Sequence, residues 1–296
     1  MNPFFENCLK HFSESQSPEL AESTKDGKKR QVTHLLDYLE SHGIGDFSSF
    51  KIGIIYEFIT SLSFASQTIS GLQFTIREFF DILYEKGIAP VDGRQIFPVI
   101  FTNKRDRIIS YYQNEEVQAL INSIDIHLPD GVRDKCMVLL AAQTGLRASD
   151  IIQLCFDEIK WDKDIISKKQ QKTKLQVIVP LPRNLKLLLV DYIKNHRSQS
   201  TEPYVFICPE TNQRYCNTEL YFIVRKYFLK ANVDTGNRKH GPHALRHSLA
   251  SNLLKNNTPM PVITGILGHK DLNTTSRYLS IDVEALRKCC LEVPHV

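Results

Sequence analysis

The chain breaks its helical patterning at one place, and that break constrains the fold most. Between residues 160 and 181 the apolar residues gather into two short runs, Ile165-Ile166 and Leu175-Gln-Val-Ile-Val-Pro-Leu181. They flank the polar stretch Lys168-Lys169-Gln170-Gln171-Lys172-Thr173-Lys174. Branched apolar residues in runs this short predict a β-hairpin with a lysine-rich tip, and a further short strand is expected at 204–208. Elsewhere the apolar spacing is helical. It covers 26–42 (Val32, Leu35, Leu36 and Leu39, with Gly43 as the stop), 49–62, and 67–86, closed by Gly87. In the last of these Ile69, Leu72, Ile76, Phe79, Phe80 and Leu83 form a wide apolar stripe, as in a helical bundle. Further helices are predicted at 114–124, at 131–143 with a stop at Thr144-Gly145, from Arg147, and again beyond 182. The expected fold class is mainly α with a small antiparallel β-sheet.

Pro90, Gly93 and Pro98 punctuate a turn-rich stretch that ends in Lys104-Arg105-Asp106-Arg107 and reads as a linker over 91–107. It separates an expected N-terminal helical bundle, 23–90, from an α+β domain, 108–296. Residues 1–22 are Ser/Glu-rich and are expected to be poorly ordered. With 42% apolar residues in 296, each domain can bury a core of its own. No apolar run approaches the roughly 18 residues of a membrane helix, and Met1-Asn-Pro-Phe-Phe-Glu-Asn lacks the basic flank of a signal peptide. The seven cysteines include no CxxC pair and read as reduced thiols, so a cytoplasmic setting without membrane contact is expected.

The net charge of +4 is unevenly placed. Residues 1–100 carry nine Lys/Arg against thirteen Asp/Glu, a net −4; residues 101–296 carry twenty-eight against twenty, a net +8. Any polyanion-binding surface is therefore expected mainly in the second part.

The chemistry-bearing residues are concentrated there too. In His243-Ala-Leu-Arg246-His247, Gly241-Pro242 marks a helix start, and Leu245, Leu249 and Leu253 predict its buried stripe. An arginine and imidazoles near a helix N-terminus suit a phosphate, although a solvated polar face gives the same pattern. The i, i+4 spacing of His243 and His247 also suits zinc, but Ala244 stands where the metalloprotease pattern has its glutamate. Next comes Leu267-Gly268-His269, whose glycine suits a helix C-terminal stop. Asn273-Thr274-Thr275 could cap a short helix ahead of Tyr278, which lies nine residues after His269. A tyrosine is a weak nucleophile unless its proton is removed as it attacks. Upstream, Arg147 in Thr144-Gly-Leu-Arg-Ala-Ser-Asp150 is expected to pair with Asp150. Six lysines fall between 160 and 174, and spacing alone leaves Lys168, Lys169, Lys172 and Lys174 open as the one with a chemical role.

These segments, in this order, resemble the tyrosine recombinase (phage integrase) family, more closely its Xer-like and transposon-borne members. The likeness covers about 108–290, and the N-terminal bundle looks like the family's core-binding domain. The resemblance implies a site-specific recombinase that breaks and rejoins DNA through a covalent 3′-phosphotyrosine link, in integration, excision or transposition. It implies that Tyr278 is the nucleophile and that Arg147 and Arg246 clamp the phosphate. Lys172, counted back from Val179-Pro-Leu181, would protonate the leaving 5′-oxygen, His243 would handle the tyrosine proton, and His269 would hydrogen-bond the phosphate. It implies no cofactor and no metal. The implied partners are a double-stranded DNA recombination site and a homo- or hetero-tetramer of recombinases on that DNA. Residues 282–292, with Val283, Leu286 and Leu291 apolar, are expected to form a short helix; the resemblance implies that it docks on a neighbouring protomer, and packing on its own domain is the other reading.

Some features depart from the family pattern. Asp150 stands where glutamate is common, two prolines and a glycine in 258–265 shorten the helix before Leu267, and the N-terminal part is acidic for half of a DNA clamp. Lys28-Lys29-Arg30 and Arg77 are its candidate DNA contacts. Three other readings are weaker. A binding-only relative would have lost Tyr278 or an arginine, a type IB topoisomerase fits the spacing and domain size less well, and a metal-dependent nuclease would need clustered carboxylates.

Overall fold

The computed structural model describes residues 1–48, 50–64, 66–97, 110–276 and 278. The chain divides into two compact units, Met1–Asn103 and Lys104–Val296.

The first unit is helical: α1 (Pro3–Glu14), α2 (Glu22–Ser41), α3 (Gly53–Ser61), α4 (Ser66–Glu85) and the single turn α5 (Gly93–Ile96). The expectation of a poorly ordered N-terminus does not hold. Asn2 caps α1 by accepting from the Phe5 amide at 2.8 Å, and Pro3 follows at the first helical position. Phe5, Cys8 and Phe12 then fall on one buried face, where Phe12 meets Phe79 edge-on at 5.6 Å. Glu6, Ser13 and Glu14 lie on its exposed face, and the rest of the Ser/Glu content follows the helix. The expected stripe of α4 is buried at Leu72, Ile76, Phe79, Phe80 and Leu83, while Ile69 is half-buried. The start of the expected linker is also ordered. Asp92 caps α5, and Ile96 and Phe97 are buried in this unit's core. The basic run 104–107 and the segment 282–292 lie outside the described residues.

The second unit contains α6 (Asn114–Asn122), α7 (Gly131–Leu139), α8 (Ala148–Ile152), the strands β1 (Ile159–Lys160), β2 (Ile165–Lys169) and β3 (Gln176–Pro180), then α9 (Arg183–Asp191), α10 (Asn217–Lys230), α11 (Pro242–Lys255), α12 (Met260–Leu267) and α13 (Leu272–Ser276). The strands form one antiparallel sheet in the order β1-β2-β3, with Ile166 opposite Val179 and Lys168 opposite Val177. The predicted hairpin is therefore present, with the two-residue β1 added to it. The strand expected at 204–208 is reduced to two isolated bridges, Cys155 with Tyr204 and Ile207 with Arg214. Val205 and Phe206 are buried all the same, and burial rather than ladder pairing accounts for their apolar run.

Helix α11 is more deeply embedded than an amphipathic stripe implies. Ala244, Leu245, Arg246, Ser248, Ala250 and Ser251 are all buried, while Leu249 and Leu253 are only half-buried. Small residues let it lie close against a wide turn at Leu140–Thr144 that extends α7, and against α6, α10 and α12. No helix of the described residues is long and apolar enough to cross a membrane.

Candidate active site

Two left-handed glycines shape the site. Gly145 ends the wide turn after α7 at φ +65°, and Gly268 ends α12 at φ +59°. A Cβ at Gly145 would stand 2.9 Å from the Leu249 side chain. One at Gly268 would stand 2.5 Å from both the Gln170 and Val177 side chains. The left-handed backbone favours glycine at both turns, and at Gly268 the buried Gln170 and Val177 side chains also leave little room for a Cβ. Each turn presents carbonyls inward. Arg246, only 2% exposed, donates through Nη1 to the Gly145 carbonyl and through Nη2 to the Leu267 carbonyl at 2.6 Å. Arg147 donates to the Gln170 side-chain oxygen and, at 3.4 Å, to the Gly268 carbonyl.

The two guanidiniums are held by neutral acceptors. The expected Arg147–Asp150 ion pair does not form: Asp150 is fully buried, and its Oδ1 accepts from the Gln171 amide at 2.9 Å. The carboxylate thus anchors the hairpin tip and acts on both arginines only through its field. Burial, then the neighbouring charge of Arg147, brings the Arg246 pKa down to about 10, and burial lowers that of Arg147. Both remain cationic at neutral pH. Two like charges in a desolvated pocket favour an anion that can accept from both.

Tyr278 is 1% exposed, in a small apolar cluster with Ala250, Ile263 and Leu267. Its hydroxyl shares a 2.7 Å hydrogen bond with Nδ1 of His247, a residue that the resemblance left without a role. His243 precedes His247 by one turn, with ring centroids 5.6 Å apart. Desolvation, with the positive charges of Arg246, Lys172, Arg147 and Lys239, holds the His243 pKa down to about 4, even though much of that residue's surface is exposed. The ring is therefore neutral at pH 7 and a weak base. His269 lies just beyond the Gly268 stop and shares a 2.8 Å hydrogen bond through Nδ1 with Thr275 Oγ1. Thr275, with Asn273 and Thr274, lies inside α13 rather than ahead of it as a cap.

The lysines separate by environment. Lys168 points inward from β2, 3% exposed, and pairs with Glu158 at 2.7 Å. Lys169 and Lys174 are exposed and line a groove with Cys155, Glu158 and Tyr204, which the buried Lys168 also borders. Lys172 is exposed and close enough to His243 for its charge to act on that ring. The residues expected from sequence thus converge: Arg147, Arg246 and Tyr278 are coupled electrostatically, with His243 and Lys172 beside them and His269 at the Gly268 turn.

A model of the phage integrase family matches residues 111–284, more than half of the chain. The chain belongs to the phage integrase family. Tyrosine recombinase XerD of Staphylococcus epidermidis is 27% identical over 276 residues, covering 91% of each chain. An integrase/recombinase-like protein of Sinorhizobium fredii, y4rF, is 31% identical over 181 residues, 60% of this chain and 42% of that one. The chain spans about half the length of that protein and of a second from the same organism, 42% and 53%. Among solved structures, XerH recombinase bound to its difH substrate has a TM-score of 0.72 at 16% identity, covering 97% of this chain and 94% of that one. A λ integrase dimer on a core site has a TM-score of 0.71 at 13% identity, covering 92% and 94%. These structures share the integrase fold: mainly helical, with a small antiparallel sheet.

Gln170 is a site residue that the sequence reading missed. It is fully buried; its Oε1 accepts from Arg147 and from Thr173 Oγ1 at 2.8 Å, and its Nε2 donates to the Leu267 carbonyl at 3.1 Å. It therefore ties the hairpin tip to the turn that holds both arginines. The only signal in the sequence was a polar residue in a lysine-rich tip, which reads as solvated. Gln170→Leu keeps the volume and strands these partners, so it is expected to cost about 1–3 kcal/mol. A lower urea midpoint with an unchanged slope would register that loss, and an unchanged midpoint would show that the tie carries no weight.

Proposed function

We propose that the protein is a site-specific DNA strand transferase that breaks and rejoins duplex DNA through Tyr278. The observation that carries this is the placement of the Tyr278 hydroxyl beside His247 and within the field of the buried Arg246 and half-buried Arg147 guanidiniums. The hydroxyl attacks a backbone phosphorus, the tyrosine proton is removed, and the 5′-oxygen leaves. The products are a 3′-phosphotyrosine link and a free 5′-hydroxyl. Arg147 and Arg246 hold the non-bridging oxygens, and their hold strengthens as charge develops in the transition state. His243, neutral and set among cations, hydrogen-bonds the phosphate, as does His269 from the opposite turn. Lys172 supplies the proton to the leaving oxygen. The new ester keeps the energy of the old one, so resealing needs no nucleotide cofactor.

The exchange of two duplexes calls for a recombinase tetramer on the DNA, in the cytoplasm. The N-terminal bundle contributes backbone contacts through Lys29 and Arg30, because Lys28 is already paired with Glu78 at 2.7 Å. Family membership supports this reading, as do the XerH and λ integrase complexes, in which recombinases of the same fold hold their DNA substrates.

The test is to incubate the protein with nicked duplexes cut from the DNA that flanks its gene. The nick lets the short 5′-hydroxyl strand diffuse away and traps the adduct. A covalent DNA adduct on the peptide that contains Tyr278 is expected; no adduct on any flanking duplex, in a protein that binds them, would reject the proposal. In the same assay, Lys172→Ala is expected to slow trapping by about 10²-fold or more, as for loss of a general acid. Lys169→Ala and Lys174→Ala should act mainly through weaker binding at higher salt. Equal slowing by all three would reduce the hairpin to a patch of charge.

A further inference from the structure

Helix α11 carries two imidazoles one turn apart, and one of them, His247, is hydrogen-bonded to the reacting atom. We propose that His247 is the base that takes the Tyr278 proton as the hydroxyl attacks phosphorus, a refinement that rests on the strand-transfer reading above. The geometry is that of a base with its acid: Nδ1 to Oη is 2.7 Å, and the ring centroids are 5.6 Å apart at 56°. With its proton on Nε2, the neutral ring accepts the hydroxyl hydrogen at Nδ1. In the step, the Oη–P bond forms and the bond from phosphorus to the 5′-oxygen breaks. The tyrosine proton passes to His247 Nδ1, and a proton from Lys172 goes to the 5′-oxygen, so charge and atoms balance with no further reactant.

The surroundings favour this transfer. The positive charges of Arg147, ahead of α8, and of Arg246, on α11, both act on Tyr278 and favour the phenolate. Tyr111 packs on the apolar cluster around the ring, His269 stands beyond α12, and α12 itself contributes no titratable group. His243 is the poorer base, because desolvation and four cations oppose its protonation. His247 is fixed in place by its helix, where its own carbonyl accepts from Ser251 Oγ at 2.8 Å.

The experiment follows adduct formation on the nicked flanking duplexes from pH 6 to pH 9, with wild type, His247→Gln and His247→Ala. Glutamine can hold the hydroxyl but cannot take its proton. His247→Gln is expected to bind the duplexes normally and to form the adduct about 10²-fold more slowly at pH 7. Its rate should then rise by about tenfold per pH unit toward the ordinary tyrosine pKa near 10, so the deficit shrinks in alkali. Added imidazole should restore His247→Ala, with a profile that follows the protonation of free imidazole. A wild-type rate in His247→Gln would overturn the proposal, as would slowing by one constant factor at every pH without imidazole rescue. Loss of DNA binding in both variants would make His247 structural and overturn it equally. If wild type itself forms no adduct, the strand-transfer reading fails; if wild type forms one and His247→Gln matches it, only the role of His247 fails.

Discussion

Replacing Tyr278 with phenylalanine is expected to abolish covalent protein–DNA adducts and leave DNA binding intact. The ring lies in the apolar cluster between α11 and α12, and phenylalanine fills the same space. What is lost is the oxygen nucleophile and its hydrogen bond to His247. That bond contributes on the order of 1 kcal/mol to stability, too little to unfold a domain of this size. Activity should therefore fall to background while thermal unfolding shifts by a few degrees at most. Denaturing gels of the trapped complexes read the loss of adducts, mobility shifts on the same duplexes read the binding that remains, and a thermal melt reads the small change in stability. Adducts that persist in Tyr278→Phe would mean that another residue attacks phosphorus.

Arg246→Lys is expected to have the next largest effect, a loss of about 10²–10³ in the rate of adduct formation. The guanidinium already donates to the Gly145 and Leu267 carbonyls, and its planar fork keeps further N–H groups for a phosphate beside those of Arg147. A lysine ammonium carries the same charge but cannot satisfy two carbonyls on opposite turns and an oxyanion together. Affinity for DNA should change little, since one phosphate contact among many adds only modestly to binding. The variant should thus bind, cleave slowly and unfold somewhat earlier. Single-turnover rates at saturating protein separate these effects, and a near-normal rate would remove Arg246 from the phosphate clamp.

Much of the fold was legible because its signals are local. The hairpin showed in the short runs Ile165-Ile166 and Leu175-Gln-Val-Ile-Val-Pro-Leu181 on either side of a polar tip, and α4 showed in its phenylalanine and leucine stripe. The short α12 showed in Pro259, Pro261 and Gly268. Helix α1 was missed because a polar composition hid a narrow apolar face of Phe5, Cys8 and Phe12, which is buried only by packing on α2 and α4. The 204–208 run reads as a strand because burial and ladder pairing select the same residue types.

The site shows the same division. The sequence by itself determined which residue types carry the chemistry, in what order, and that glycines stand at two of its turns; these follow from motif spacing along one chain. Only the tertiary structure decided how the side chains are shared out. It turned Lys168 into an ion pair with Glu158 and left Lys172 beside His243. It moved Asp150 from Arg147 to the Gln171 amide, made Gln170 the tie between hairpin and turn, and set His247 rather than His243 on the Tyr278 hydroxyl. The reason is physical: hydrogen bonds of about 3 Å and charge effects in a desolvated pocket depend on distances between α7, β2, α11 and α13, which no local periodicity encodes.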